Sequence, residues 1–374
     1  MTLIRFSDVV HLNTSRIADP LAAGIERFVG LEHIEPENLH IRNWGLVSDG
    51  VTFTNSFKPG QVLFGKRRAY QRKVALADFE GVCSSDIYVF ESKDPDVLLP
   101  ELLPFICQSE GFYQHAVMTS AGSLSPRTNW GQLADYEFPL PPIDEQRRIA
   151  DLLWAADDAV EAQRNFVGKT IDLRASFVRS VTTKTNELCK GAQNKTLGNI
   201  AEIVVGQSPS GNSYNSNGNG IPLLNGPTEF GEIYPVAVQW TTKPTKLCQP
   251  GDILFCVRGS TTGRQNISDG EYCIGRGLSA IRGKADKSVT GFLKILLESL
   301  EAEVLQEAKG AGSTFPNITS KRLSELKVPF IDLEKQNALA EQFLAIHNFH
   351  VQANAHLKIL QNLKQVLLNK VLAG

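Results

Sequence analysis

Residues 66–73, Lys-Arg-Arg-Ala-Tyr-Gln-Arg-Lys, put five basic side chains into eight positions. In a loop, Lys66, Arg67, Arg68, Arg72 and Lys73 suit contacts to phosphate, and arginine can also grip guanine O6 and N7 with two hydrogen bonds. Tyr70 adds a stacking face, and Gln71 adds an amide able to pair with adenine. Lys66 and Lys73 read as phosphate contacts, Arg67 and Arg68 as base contacts. The second half of the chain has a counterpart in Arg258-Gly259-Ser260-Thr261-Thr262-Gly263-Arg264-Gln265, less basic but rich in small hydrogen-bonding groups. A third candidate is Gly206–Asn215, where Gln207, Ser208, Ser210, Asn212 and Tyr214 would make contacts. Its glycines and small polar residues fit either close approach to DNA or a merely flexible loop. For each segment a solvated surface loop is the plainer alternative.

Catalytic patterns are weak by comparison. No Asn/Asp/Ser-Pro-Pro-Tyr/Phe motif of an amino-methyltransferase exists, since Pro141-Pro142 lies between Leu140 and Ile143. Gly168-Lys169-Thr170 imitates the end of a phosphate loop, but the glycine required at position 163 is Gln163. Asp86, Glu91 and Lys93 imitate a nuclease set, yet they share one strand, whose alternate residues face opposite ways. His347 and His350 stand three apart on a helix without a cysteine or carboxylate pattern beside them, so no metal site is expected. No Ser-His-Asp or Cys-His set can be assembled.

The elements that position these loops follow from an internal repeat. Of 374 residues, Pro59-Gly-Gln-Val-Leu-Phe64 recurs as Pro250-Gly-Asp-Ile-Leu-Phe255. Gly122-Ser123 and Pro126 recur as Gly312-Ser313 and Pro316. Leu133, Pro139, Glu145/Gln146 and Ala150 recur as Leu323, Pro329, Lys335/Gln336 and Ala340. Collinear matches at an offset of 190 to 191 indicate duplication, with a period too long for a solenoid. Each half opens with a turn-rich segment. Val62–Phe64, Ile87–Phe90, Ile200–Val205, Ile253–Val257 and Leu278–Ile281 read as strands, and Leu98–Ser109 and Gly291–Glu307 as apolar helices.

Each half then ends in a long helix, roughly Asp144–Thr183 and Leu333–Leu372. Ile149, Leu153, Ala156, Val160, Val167, Ile171, Val178 and Val181 mark one stripe. Leu339, Phe343, Ile346, Leu357, Leu360, Leu363, Leu367 and Val371 mark the other. Forty residues span about 60 Å, more than one small domain can cover, so the helices are expected to bury each other as an antiparallel coiled coil. Gly168 and Ala155–Asp158 are places where the first could break. Leu152, Trp154, Phe166, Phe177, Phe349, Ile359 and Leu368 exceed one seam and are expected to face a partner protein. The expected division is 1–142 and 196–330 for the β-rich domains, 143–185 and 331–374 for the helices, and 186–195 for a linker. The fold class is α+β with an internal pseudo-two-fold.

Composition agrees with a globular chain. With 38 basic and 40 acidic residues the net charge is −2, which excludes a wholly basic nucleic-acid coat and an acidic tail. Hydrophobic residues at 42% allow ordinary cores. The N-terminus lacks an apolar core of signal-peptide length, and no run is long enough for a membrane span. Cys83, Cys107, Cys189, Cys248, Cys256 and Cys273 form no CxxC pair, so a reducing, cytoplasmic setting is expected.

Taken with the repeat, several segments resemble the specificity subunit of type I restriction-modification systems, over nearly the whole chain. They are Pro139–Ala150 with its weaker copy Val328–Ala340, Phe28–Ile34, Val62–Tyr70, Gly206–Gly211 and Pro250–Phe255. Lys335 departs from Glu145 in the second copy.

The resemblance implies two target-recognition domains that each read one half-site of double-stranded DNA. It implies a helical spacer that seats two methyltransferase subunits, and a motor endonuclease subunit that joins them. S-adenosylmethionine, ATP and Mg would then belong to the partners, with no cofactor and no catalysis in this chain. Because the two recognition loops differ, the half-sites should differ. The competing reading is a tandem β-rich scaffold for protein or sugar without DNA specificity.

Overall fold

A computed structural model describes residues 2–188, 194–232, 234–310 and 316–372. The chain divides into two compact units, Met1–Ala162 with Lys358–Gly374, and Gln163–Leu357. Secondary structure is mixed helix and sheet, an α+β arrangement.

In the first unit, strand Thr2–Arg5 pairs antiparallel with Glu137–Leu140, Thr2 opposite Leu140. Pro141 and Pro142 cannot donate to a ladder and end that ribbon. The Pro142 carbonyl then accepts from the backbone N–H groups of Glu145 and Gln146, in the first turn of helix Ile143–Leu188. A four-stranded antiparallel sheet has the order Val10–Asn13, Ile87–Ser92, Val62–Gly65, Val74–Leu76. A second sheet has the order Gly45–Leu46, Arg27–Val29, Gly81–Cys83, Asn55–Phe57, with its middle pair parallel.

Strand Val62–Gly65 is apolar without alternation because both its faces are covered. Val62 and Phe64 join a core with Phe6, Phe90, Phe112, Leu153 and Leu368. Leu63 joins Val29, Phe57 and Cys83 on the other side. The second unit repeats this pattern. Ala201–Val205, Leu278–Gly283, Ile253–Cys256 and Gln265–Ile267 form its four-stranded sheet. There Ile253 and Phe255 face one core, while Leu254 and Cys256 face another.

The expected strands are present. The expected helix Leu98–Ser109 is helical only over Leu103–Gln108 and is followed by a further helix, Glu110–Met118, while the expected Gly291–Glu307 is two helices, Thr290–Ser299 then Glu301–Gly310. Ser109 is the first divide, because its Oγ accepts from Phe112 N and caps a new helix.

Neither Gly168 nor Ala155–Asp158 interrupts Ile143–Leu188, and the second long helix is Leu333–Leu372. Within the second unit their segments run antiparallel. Gln163 Nε2 donates to the Ala353 carbonyl, Thr170 Oγ1 lies 2.7 Å from His350 Nδ1, and Phe177 rests near Phe343.

Two seam positions differ from expectation. Ile171 and Leu363 are exposed, since a 3.6-residue helix rotates steadily away from a fixed line. Among the described residues no helix is long and apolar enough to cross a membrane, and no cluster of His, Cys, Asp or Glu could hold a metal ion. The five described cysteines are buried and unpaired. Cys189, Gly312-Ser313 and residues 189–193 of the expected linker lie outside the described residues, and 186–188 belong to the first long helix.

Candidate nucleic-acid interface

The basic segment 66–73 connects two antiparallel strands, with Phe64 opposite Val74. A single 3-10 turn, Ala69–Gln71, occupies its centre, with Arg68 and Arg72 on either side in the left-handed conformation, both at φ 55°. That conformation costs an L residue roughly 1–2 kcal/mol. The second unit builds the same connection between Phe255 and Gln265, and 191 positions on from the two arginines stand Gly259 at φ 84° and Gly263 at φ 98°. Backbone geometry is therefore shared. The first loop keeps guanidinium groups where glycine would be unstrained.

A turn from later in the chain braces this loop. Arg68 N donates to the Pro126 carbonyl and Thr128 N to the Lys66 carbonyl. Ser125 Oγ accepts from Arg67 Nη2 at 3.1 Å and Arg68 Nη2 at 3.2 Å. Asp86 accepts from Arg67 at 3.2 Å and Arg127 at 2.9 Å. Burial raises the Asp86 carboxyl, but hydrogen bonds and charge from Arg127 and Arg67 outweigh it and hold it below the ordinary range. One ionised carboxylate thus fixes two arginines while both remain partly exposed. Lys66 lies 4.5 Å from the centre of the Tyr88 ring, and burial lowers its ammonium despite Asp86. Tyr70 is 55% exposed and Gln71 is half-buried.

Two loop residues are tertiary contacts rather than free cations. Arg72 pairs with Glu110 at 2.6 Å and Glu37 at 3.4 Å and lies over Tyr113. Lys73 Nζ donates to the Leu31 carbonyl at 2.6 Å. Neither partner is near in sequence, so composition alone mistakes them for free charges. Ser125, Arg127 and Asp86 are the additions. The repeated Gly-Ser…Pro signature beside them was the available signal, and Asp86 read only as a strand-end charge. Glu91 accepts from Gln61 and Lys93 donates to the Ser7 carbonyl, so neither joins Asp86 in a carboxylate site.

In the second unit Arg258, Ser260 and Arg264 are exposed and Thr261 is half-buried. Thr262 is buried, its Oγ1 donating to the Gly259 carbonyl, so it serves the turn. Gln265 lies in the strand with its amide buried.

The Gly206–Asn215 segment is structured. Gln207 N donates to Ile274, Ser208 Oγ accepts from Arg276 N, and Tyr214 Oη donates to Pro209. Gly206 is required by its own fold, since a Cβ there would fall on the Gly275 carbonyl. Gln207, Ser210 and Asn212 remain exposed. Backbone bonds from Gly206 to Leu278, Val257 to Gly277 and Gly259 to Pro316 gather these loops at one end of the four-stranded sheet.

The expected partner-facing residues divide in two. Leu368 is fully buried in the core of the first unit. Trp154 packs edge-on against Phe105, and its indole donates to the Glu101 carbonyl at 3.0 Å. Phe177 packs on the core of the second unit. These three sit on the helix face that covers a domain, a face wider than a coiled-coil seam. Leu152, Phe166, Phe349 and Ile359 are exposed, with Phe166 and Phe349 in edge-to-face contact.

Two duplicated β-rich units, each presenting polar loops at one end of a sheet and each packed with segments of both long helices, define a tandem recognition protein. The profile of the Type I restriction modification DNA specificity domain matches residues 45–166 and 190–364, and the chain belongs to that family. The protein named as the type I restriction enzyme MjaX specificity subunit, from Methanocaldococcus jannaschii, is 32% identical over 260 residues, 66% of this chain. This chain spans only 60% of that relative's length. A solved structure described as the basis of complex assembly and conformational transition of the type I R-M system matches at 25% identity and TM-score 0.56, covering 99% of this chain and 97% of that one. The type I restriction-modification S subunit from M. genitalium shares the fold, with TM-score 0.63 at 17% identity over 99% of this chain and 96% of its own.

Proposed function

We propose that this chain is a non-catalytic specificity subunit that reads a bipartite double-stranded DNA site. Each unit reads one half-site, and the chain directs two methyltransferase subunits and a restriction–motor subunit to it. The observation that carries this reading is the paired connection 66–73 and 257–264. One backbone is built twice, and its side chains differ. Divergent side chains on a shared frame are what two different half-sites require. The partners supply the chemistry, so S-adenosylmethionine, ATP and Mg are assigned to them, and the assembly works in the cytoplasm where the DNA is. Arg67, Arg68 and Arg127 are the base-reading candidates, Lys66 a phosphate contact, and Tyr70 a stacking surface.

The test is a mobility shift of the methyltransferase complex on a random pool of duplexes, selected and sequenced, with the salt stepped upward. A bipartite consensus should emerge. Replacing residues 1–140 by another family member's first domain should change one half-site and leave the other. If both half-sites changed, or no consensus appeared, the reading would fail. The scaffold alternative predicts no DNA enrichment at all.

A further inference from the structure

The turn that carries Asp86 in the first unit has a counterpart in the second. Asp86 stands just before strand Ile87–Ser92, and Gly277, 191 positions on, stands just before strand Leu278–Gly283. The Asp86 carbonyl accepts from Lys66 N at 3.0 Å, and the Gly277 carbonyl accepts from Val257 N at 2.9 Å. Antiparallel bridges Arg67–Arg127 and Arg258–Asn317 close the two loops alike. The side chains on this common frame differ. In the first unit the Asp86 carboxylate holds Arg67 and Arg127. In the second a Cβ at position 277 would fall on the Asn225 carbonyl, so glycine is required and no carboxylate fits there. Asn317, uncharged, stands where the first unit has Arg127. Charge returns one residue before the glycine, where Arg276 takes the place of Ser85.

Arg276 sits between the two segments of its unit that carry exposed polar side chains. On one side its backbone N–H donates to Ser208 Oγ at 3.2 Å, and Gln207 N donates to the Ile274 carbonyl at 2.9 Å, which ties the turn to Gly206–Asn215. On the other side the bond from Val257 N to Gly277 ties it to the loop 257–264. Arg276 and Arg258 are both exposed, and among the described residues neither guanidinium has an ion-pair or hydrogen-bond partner. Unlike Arg67, Arg276 is not shared with an acid, so its whole fork is available to a ligand. Contacts to phosphate position a protein on the duplex, and contacts to base edges in the groove specify sequence. A planar fork in the middle of the loop cluster matches two acceptors side by side. In the major groove only guanine presents that pair, O6 and N7.

We propose, resting on the DNA reading above, that Arg276 is a specificity-determining residue that reads a guanine in the half-site of the second unit. The two units then solve one problem differently. The first reads with arginines from two loops that Asp86 holds in place. The second carries its arginine on the turn itself, beside the glycine that stands in for that acid.

The test uses the methyltransferase complex and the selected duplexes described above. The half-site that persists when residues 1–140 are exchanged belongs to the second unit. Arg276→Ala should weaken binding to the selected site at least about tenfold, a loss of about 1.4 kcal/mol or more. It should abolish a guanine preference at one position of that half-site and leave the other half-site unchanged. With 7-deazaguanine at that position, which lacks the N7 acceptor, the unaltered complex should bind more weakly, while the Arg276→Ala complex should show no further loss. The 7-deazaguanine measurement on the unaltered chain does not depend on any variant folding. A consensus unchanged in Arg276→Ala, or no response of the unaltered complex to 7-deazaguanine, would overturn the assignment and leave the DNA reading standing. So would equal weakening on all sequences with the salt slope reduced by about one, the mark of a phosphate contact. No consensus from the unaltered complex would overturn both.

Discussion

Gln146 and Gln336 occupy equivalent positions 190 residues apart and make the same two anchoring hydrogen bonds. Each Nε2 donates to the carbonyl five residues earlier, Pro141 or Ile331, at 2.9 and 2.7 Å. Each Oε1 accepts a backbone N–H from the segment entering the domain's helix pair, Leu99 or Val289, both at 2.9 Å. The third bond differs, to the Val97 carbonyl in one and from Ser288 Oγ in the other. Both side chains are essentially fully buried. Each amide locks the start of a long helix to its own recognition domain.

Replacing either glutamine by alanine leaves a buried N–H and buried carbonyls without partners. Gln146→Ala and Gln336→Ala should each destabilise the chain by about 2–4 kcal/mol. Gln→Glu at either site should be at least as damaging, because a carboxylate cannot donate to Pro141 or Ile331. Urea unfolding curves check this. A midpoint unchanged within error in both alanine variants would show that the amides are not structural anchors.

The left-handed arginines give a way to separate folding from binding. Arg68→Gly relieves a strain of about 1 kcal/mol and copies Gly259, so stability should hold or rise. Its DNA affinity should fall by about 1–3 kcal/mol if Arg68 reads a base, with discrimination relaxed at one position. Arg72→Gly relieves the same backbone strain but removes the ion pairs to Glu37 and Glu110, so its unfolding temperature should drop. If both variants lost DNA binding and stability together, the loop would be a structural unit and not a reading head.

Part of this architecture is legible in the sequence because it is local. Gly60 and Gly251 sit in left-handed turns at φ 85° and 86°, and each precedes a strand covered on both faces. Their Pro-Gly and unbroken apolar runs mark both the turn and the strand. The long helices are equally visible from their periodicity. The second sheets are not, because strands such as Gly45–Leu46 and Tyr214–Asn215 are two residues long and carry no pattern. The fate of Arg72 is hidden for a different reason: Glu37 and Glu110 lie 35 and 38 residues away, and only the tertiary fold brings them together. Leu363, on the seam stripe, is exposed, and Leu368, off it, is wholly buried, because the domain and not the partner helix covers that second face.

The His40–Asp157–Lys364 cluster should give the chain a recognisable pH profile. The hydrogen bond to Asp157 raises the His40 imidazole above its ordinary 6.5, against burial and Arg42, with Glu161 assisting. That stabilisation is complete below 6.5 and is lost as pH rises through the folded value. Burial raises the Asp157 carboxyl, but His40 and Lys364 outweigh it and leave it below 3.8, so its contribution is present above 3.8 and lost as pH falls through the folded value. Stability from this cluster should therefore be greatest between 3.8 and 6.5. Unfolding midpoints from pH 5 to 9 should decline on the alkaline side in the unaltered chain and flatten in His40→Gln. Parallel declines in the two proteins would remove His40 as the cause.

Gly168 stands in the middle of an unbroken helix, and a methyl group added there would meet no atom within 4 Å. Gly168→Ala should stabilise the helix by about 0.5–1 kcal/mol and raise the unfolding temperature by about 1–3 °C. A lowered temperature would mean that the site needs glycine for a contact with a partner or a bend that the free chain lacks.

The apolar residues of the long helices in the first unit separate a packing role from a docking role. Leu368 is 0% exposed, whereas Leu152 is 49% and Ile359 is 53% exposed. Leu368→Asp buries a charge with no partner and should unfold the chain, costing several kcal/mol and destroying the cooperative melt. Leu152→Asp and Ile359→Asp place the charge in water, so the melt should stay within about 0.5 kcal/mol of the unaltered chain. If this helix surface seats a methyltransferase subunit, the same two substitutions should weaken assembly by a factor of about ten or more, because a charge would be desolvated in an apolar contact. Co-purification with a tagged methyltransferase, followed by sizing and mass measurement, reads both the stoichiometry and the loss. Full assembly of the Leu152→Asp, Ile359→Asp double variant, with its melt intact, would move the docking surface off these residues. Loss of assembly with an intact melt would place it on them, independently of the loops that meet DNA.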